Sequence, residues 1–203
     1  MNYLKINGKK IVLTDAQVEE NKSAVGIDIK LSDVAPGETC KIGKYEFVVL
    51  EHSKDTTAVI LKDLLHTSEK FGSGNNYKNS NADKLCTRFG NEIEGIVGKD
   101  NLIEHTVDLT ADDGLKDYKS VKRKMALITA NNYRRYVEIL DKHKLDMWWW
   151  TATAYSTPTH GYEYAVKCVS PSGSIINGDS NGNNFGVRPF LCFVSSIYVS
   201  CED

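Results

Sequence analysis

The side chains able to do chemistry are dispersed along this chain. Its five histidines (His52, His66, His105, His143 and His160) are never four apart, so no helix can present a zinc-binding pair. Its five cysteines (Cys40, Cys86, Cys168, Cys192 and Cys201) form no C-x-x-C pair, and reduced thiols, several of them in the core, are expected. Asp108, Asp112 and Asp113 before Gly114 loosely resemble a calcium loop, but the alternate acidic positions and the closing glutamate are missing. Gly72-Ser73-Gly74 lacks the third glycine of a dinucleotide fingerprint, and there is no Gly-Lys-Ser/Thr phosphate loop. The expectation is a protein without a catalytic constellation, a resident metal or a cofactor.

Recognition chemistry is better represented. Residues 151–162 and 172–185 are built from Tyr, Ser, Thr, Asn, Gly, Asp and His, with few large aliphatics. Paratope loops use this palette, because Tyr supplies rigid amphipathic contact area and Ser, Gly and Asn supply adaptable hydrogen bonds. Ordinary turns use much of it too. The candidate ligand-binding residues are Tyr155, Ser156, Thr157, His160, Tyr162, Asn177, Asp179, Asn181, Asn183, Asn184 and Phe185.

Several elements must position these loops. Tyr3–Ile6 and Lys10–Leu13 alternate around Asn7-Gly8, a hairpin signal, and Thr14 with Gln17 has capping-box spacing for a helix to about Val25. Residues 1–30 are thus expected to be a small unit packing on a main domain of residues 31–203. Tyr45–Leu50 and Thr57–Leu61 read as a hairpin, and residues 72–81 as a flexible polar loop. Ser80 or Asn81 would cap a helix over Ala82–Val97 with Leu85, Phe89, Ile93 and Ile96 on one face. Leu102–Leu109 and Ala126–Ile128 look like strands, and Thr129 or Asn131 caps a helix carrying Tyr133, Tyr136, Val137 and Leu140. Ser170-Pro171-Ser172-Gly173 turns a hairpin, and Asn177–Asn184 reads as a structureless loop. Together these elements predict an α+β fold with short antiparallel strands and two or three flanking helices.

Composition bounds the partners. The 203 residues carry 25 basic and 27 acidic side chains, a net charge of −2, which argues against a general nucleic-acid binder. Residues 116–144 hold nine basic and three acidic side chains, read as a solvated helix face. No stretch approaches the length of a membrane-spanning helix, so no membrane insertion is expected. The N-terminus lacks the apolar core of a signal peptide, which predicts cytoplasmic synthesis.

Trp149-Trp150-Thr151-Ala152-Thr153 upstream and Gly186-Val187-Arg188-Pro189-Phe190 downstream, with a hairpin and an Asn/Gly/Ser loop between, carry a resemblance. Most of the chain resembles a family of uncharacterised phage and gut-bacterial proteins that end in Trp-Trp-x-x-(Ser/Thr) followed by Gly-Val-Arg-Pro. Roughly residues 149–203 also resemble the variable proteins of diversity-generating retroelements, which have a C-type-lectin-like fold. The start of the Gly-Val-Arg-Pro strand is similar to formylglycine-generating-enzyme-like domains of that same fold. The resemblance implies a C-type-lectin-like domain whose loops bind a protein or glycan ligand, with Trp149, Trp150 and Arg188 as scaffold, and virion association as one destination. The Glu-Pro-Asn and Trp-Asn-Asp motifs of calcium-dependent lectins are absent, as are the paired cysteines of the formylglycine-generating enzymes. That oxidase chemistry, or a purely structural phage role, is the alternative. Adenine-directed mutation of AAC-type codons never produces Lys, Glu, Gln, Met or Trp, and none of these occurs in Thr151–Tyr162 or Cys168–Cys201.

Overall fold

A computed structural model describes residues 3–6, 9–12 and 28–201 of the chain. Strands β1 (Tyr3–Ile6) and β2 (Lys9–Val12) pair antiparallel with Ile6 opposite Lys9, the register that Asn7-Gly8 predicts. The helix expected from Thr14 lies outside the described residues.

The main body is α+β and mostly antiparallel. Its strands are β3 (Asp28–Lys30), β4 (Thr39–Ile42), β5 (Tyr45–Ser53), β6 (Thr56–Leu61), β7 (Leu102–Ile103), β8 (His105–Asp108), β9 (Ser120–Arg123), β10 (Met125–Leu127), β11 (Trp149–Ala154), β12 (Ala165–Val169), β13 (Ile175–Asp179), β14 (Pro189–Val194) and β15 (Tyr198–Ser200). The helices are α1 (Asn81–Val97), α2 (Ala130–Arg135) and α3 (Val137–Leu140). An eight-stranded sheet runs β10-β14-β6-β5-β4-β15-β3, with β7 pairing beside β10 along β14. A second sheet, β11-β12-β13, carries the loops of interest, and β8-β9 form a separate pair.

Local signals account for most element boundaries. The Ser80 hydroxyl accepts from the Asp83 amide and starts α1; the Thr129 hydroxyl accepts from the Asn132 amide and starts α2. The buried stripe of α1 runs through Ala82, Cys86, Phe89, Gly90 and Ile93. Ile96, expected on that stripe, is exposed, and Val97, four residues after Ile93, packs against the core in its place. The helix expected through Leu140 is broken at Tyr136, whose backbone leaves the helical region (φ −105°, ψ 16°), so Val137 faces solvent. The basic run is likewise not one helix face. Arg123 of β9 meets Asp83 at 2.7 Å, Lys124 meets Glu94, Arg134 of α2 meets Asp112 at 2.8 Å, and Arg135 meets Glu51.

Strand β11 is buried along its whole length, and successive residues on a strand point to opposite faces. Trp150 therefore enters the larger core with Phe71, Tyr77, Phe47 and Phe193. Trp149 enters a second core with Val48, Leu50, Ile60, Tyr133, Val169 and Phe190. The expected burial of both tryptophans is met, each as the anchor of a different core. Cys40, Cys86 and Cys168 are also buried, and burial pushes their thiols up to about 12, leaving them protonated packing groups. Among the described residues, no helix is long and apolar enough to cross a membrane.

Trp149→Ala should lower the unfolding free energy by about 3–5 kcal/mol in chemical denaturation, because a 2% exposed ring leaves a cavity between two elements that cannot close it. A second expectation concerns His105, whose ring nitrogens are buried without a hydrogen-bond partner among the described residues and whose ring stands edge-on to Phe190 at 5.3 Å. Burial pushes its pKa below the ordinary 6.5, against smaller opposing effects of the Ile103 carbonyl and Glu104. Below that value the unfolded chain binds the extra proton first, so stability is full above about pH 6.5 and falls as the pH drops below it. Urea unfolding across pH should show His105→Phe losing that part of the slope.

Candidate functional site

Residues 185–188 clasp the tryptophan doublet. Phe185 stacks on Trp150 with ring centroids 3.9 Å apart, and the Arg188 guanidinium lies 5.3 Å from the Trp149 ring centroid. Between them Gly186 donates to the Trp148 carbonyl at 2.7 Å and accepts from the Trp150 amide at 3.0 Å. A Cβ on Gly186 would stand 2.3 Å from Leu64 Cδ1, and one on Gly178 would stand 2.8 Å from Trp150 Cζ3. Both glycines are needed for this close approach. Arg188 is 1% exposed and donates from Nε to the Leu61 carbonyl at 2.8 Å and from Nη2 to the Lys62 carbonyl at 3.0 Å, the fork expected of it. Burial lowers its pKa to about 10, which leaves it charged at neutral pH.

On this base stand three loops tied at one side chain. The Asn75 amide Nδ2 lies 2.9 Å from the Ser156 carbonyl, 3.0 Å from that of Tyr162 and 2.9 Å from that of Ala165. Its Oδ1 accepts from the Tyr118 hydroxyl at 2.6 Å, and its backbone amide donates to the Glu163 carbonyl at 2.8 Å. The segment around Asn75 is therefore not the flexible loop its composition predicts. Phe71 and Tyr77, both buried, pin its two sides, and Asp83, itself held by Arg123, accepts from the Asn79 amide.

The acidic residues after β8 strap the same loops from below. Asp113 accepts from the Ser156 hydroxyl at 2.5 Å and meets His160 Nδ1 at 3.0 Å. Asp117 accepts from Thr157 and Thr159, each at 2.6 Å. The hydrogen bond from Ser156 first, with those from the Leu115 amide and His160, holds the Asp113 carboxyl below its ordinary value. The Thr157 and Thr159 hydroxyls do the same for Asp117. Burial would raise Asp112, but hydrogen bonds from Arg134 and Lys167 outweigh it and hold that carboxyl low as well. Of the three carboxylates loosely like a calcium loop in sequence, Asp108 accepts from Thr110, Asp112 meets Arg134 and Lys167, and Asp113 meets Ser156 and His160.

The candidate residues divide accordingly. Tyr155, Tyr162 and Tyr164 form a ring cluster, with centroids 5.6 Å apart for the first pair and 6.1 Å for the second. Tyr162 is 44% exposed and Tyr164 50%, while Tyr155 is half-buried. The Ser180 amide donates to the Tyr164 carbonyl at 2.7 Å, which sets exposed Asn181 beside the tyrosines. The 155–164 and 179–185 loops therefore meet at one end of β12 and β13, where Ala165 opposes Asp179. His160, Asn183 and Asn184 are also exposed.

Four expectations need correction. Ser156 and Thr157 are buried, because their hydroxyls face Asp113 and Asp117 rather than solvent. Asn177 and Asp179 belong to β13, not to a loop, and sit on its exposed face while Gly178 faces Trp150. Phe185 is half-buried against Trp150 and acts as scaffold. The Ser172–Ser174 turn lies at the other end of the hairpin, where Val169 opposes Ile175, and so is not part of the surface. Two participants escaped the sequence. Tyr164 had the signal of a third tyrosine close to Tyr155 and Tyr162. Asn75 had none to separate it from the neighbouring asparagines.

Asn75→Ala should destabilise the protein by roughly 2–4 kcal/mol, since it leaves buried carbonyls without a donor. Asn75→Asp should be worse than Asn75→Ala at neutral pH, because a carboxylate would face oxygen atoms that now accept from Nδ2. Denaturant titrations of the two variants side by side check the order.

No protein-family model matches this chain, and no significantly similar curated protein or solved structure was found.

Proposed function

We propose that this chain is a non-enzymatic, ligand-binding variable protein of phage or prophage origin, with a C-type-lectin-like scaffold. Its ligand, a protein or a glycan, binds the surface formed by Tyr155, His160, Tyr162, Tyr164 and Asn181, with Asn183 and Asn184 at its margin. The observation that carries this reading is the tyrosine cluster: two of three neighbouring rings are about half exposed, at 44% and 50%, on loops held by buried hydrogen bonds. Large aromatic surface left in water on a rigid base costs little further ordering on binding, which is what a recognition surface requires. The absence of Lys, Glu, Gln, Met and Trp from Thr151–Tyr162 and Cys168–Cys201 supports diversification of these loops by adenine mutation.

Replacing both exposed rings tests the function. Tyr162→Ala/Tyr164→Ala should leave the melting temperature nearly unchanged, because exposed substitutions contribute within about 0.5 kcal/mol each. On a glycan array and a displayed-protein library, every ligand of the wild-type chain should lose at least about tenfold in affinity, since a few aromatic anchors dominate such surfaces. A wild-type ligand bound equally well by the variant would refute the assignment of this face.

A further inference from the structure

Beside the tyrosines, an open cleft of about 540 Å³ is lined by Lys70, Lys78 and Lys84 together with Ser73, Asn76 and Asn181. No carboxylate lines it, and none of the three lysines makes an ion pair with a described residue. All three ammonium groups belong to exposed residues, and the cleft's floor is the pinned Gly72–Asn76 loop. In that loop the amides of Ser73, Gly74 and Asn76 donate to no described residue, while Gly72 and Asn75 donate to Ser180 and Glu163. Three ammonium groups without an ion-pair partner favour the arrival of an anion, with the carboxylates of Glu69 and Asp179 at the border, each already accepting a hydrogen bond from a cleft residue, Asn81 or Asn181.

Backbone hydrogen bonds join the loops that line the cleft to the loop that carries the tyrosines. Asn75 holds Glu163, which lies between Tyr162 and Tyr164, and the Ser180 amide holds Tyr164 next to Asn181 of the cleft wall. We infer that Lys70, Lys78 and Lys84 bind the acidic group of a small anionic saccharide whose rings rest on Tyr162 and Tyr164. This inference rests on the tyrosine surface being a recognition surface. The lining of hydroxyl, amide and ammonium groups suits a ligand rich in hydroxyls better than an apolar one, for which pockets are mostly hydrophobic. A long polyphosphate is disfavoured, because Asp113, Asp117 and Glu163 stand on the tyrosine side and the lysines form one cluster instead of a track.

The test is calorimetry on the full chain with four probes: a sulfated tetrasaccharide, tetragalacturonate, uncharged maltotetraose and a short oligothymidylate. At least one acidic tetrasaccharide should bind, more weakly as salt rises from about 0.05 M to about 0.5 M, and the two acidic probes distinguish sulfate from carboxylate. Lys70→Gln/Lys78→Gln/Lys84→Gln should keep its melting temperature and lose at least about tenfold in affinity, and Tyr162→Ala/Tyr164→Ala should weaken the same probe. The inference is overturned if neither acidic saccharide binds, if the lysine variant binds as wild type does, or if oligothymidylate binds more tightly than both. Maltotetraose bound by wild type and lost only in the tyrosine variant would overturn the lysine cleft while sustaining the tyrosine surface. Acidic binding that needs the lysines but ignores the tyrosines would overturn both the combined site and the reading beneath it.

Discussion

Two adjacent tryptophans on an extended strand cannot share a face, and this constraint organises the second half of the molecule. Trp149 and Trp150 send their rings into separate cores, so β11 must be covered on both sides. Phe185 covers one ring, Arg188 lies against the other, and the Gly186 backbone bonds to the strand between them. The two short motifs are thus halves of one contact. Because Arg188 also reaches the carbonyls of Leu61 and Lys62, the same contact joins the loop-bearing sheet to the eight-stranded sheet at the end of β6.

The loops above that contact are held by polar bonds as well as by the buried rings of Phe71 and Tyr77. A single amide, Asn75, is shared among carbonyls of one loop and the hydroxyl of Tyr118, while Asp113 and Asp117 hold hydroxyls of Ser156, Thr157 and Thr159. Carboxylates held below their ordinary pKa stay ionised well into the acid range, so the strap persists at any pH near neutrality. Holding the loops from beneath leaves their outer faces free. Tyr162, Tyr164 and Asn181 stay exposed because other side chains do the holding.

The lysine cleft and the tyrosines divide the surface by chemistry. One side offers three lysines without ion-pair partners and backbone amides, the other offers aromatic faces bordered by Asp113, Asp117 and Glu163. On the proposed function, such a divided surface would select among ligands more sharply than either half could, because a wrong ligand would meet a repulsive border as well as lack an attractive one.

What the sequence by itself determined was whatever depends on residues a few positions apart. The caps at Ser80 and Thr129, the turn at Pro171-Ser172-Gly173, the strand character of Tyr45–Leu50 and the antiparallel α+β class are all local chemistry, and they were legible. The burial of Trp149, Trp150 and Arg188 was legible too, although not that the tryptophans part company. Tertiary structure decided the rest. Ser156 and Thr157 look like display residues until Asp113 and Asp117, some forty positions upstream, take their hydroxyls; Asn177-Gly178-Asp179 has turn composition, but Ala165–Lys167 pairs it into a strand. Asn75 is one polar residue among several in a glycine-rich stretch, and it becomes the tie of the site only because Ser156, Tyr162 and Ala165 are folded around it. A side chain's propensity is written in its own chemistry, whereas its partner is set by a packing that brings distant segments within hydrogen-bond reach.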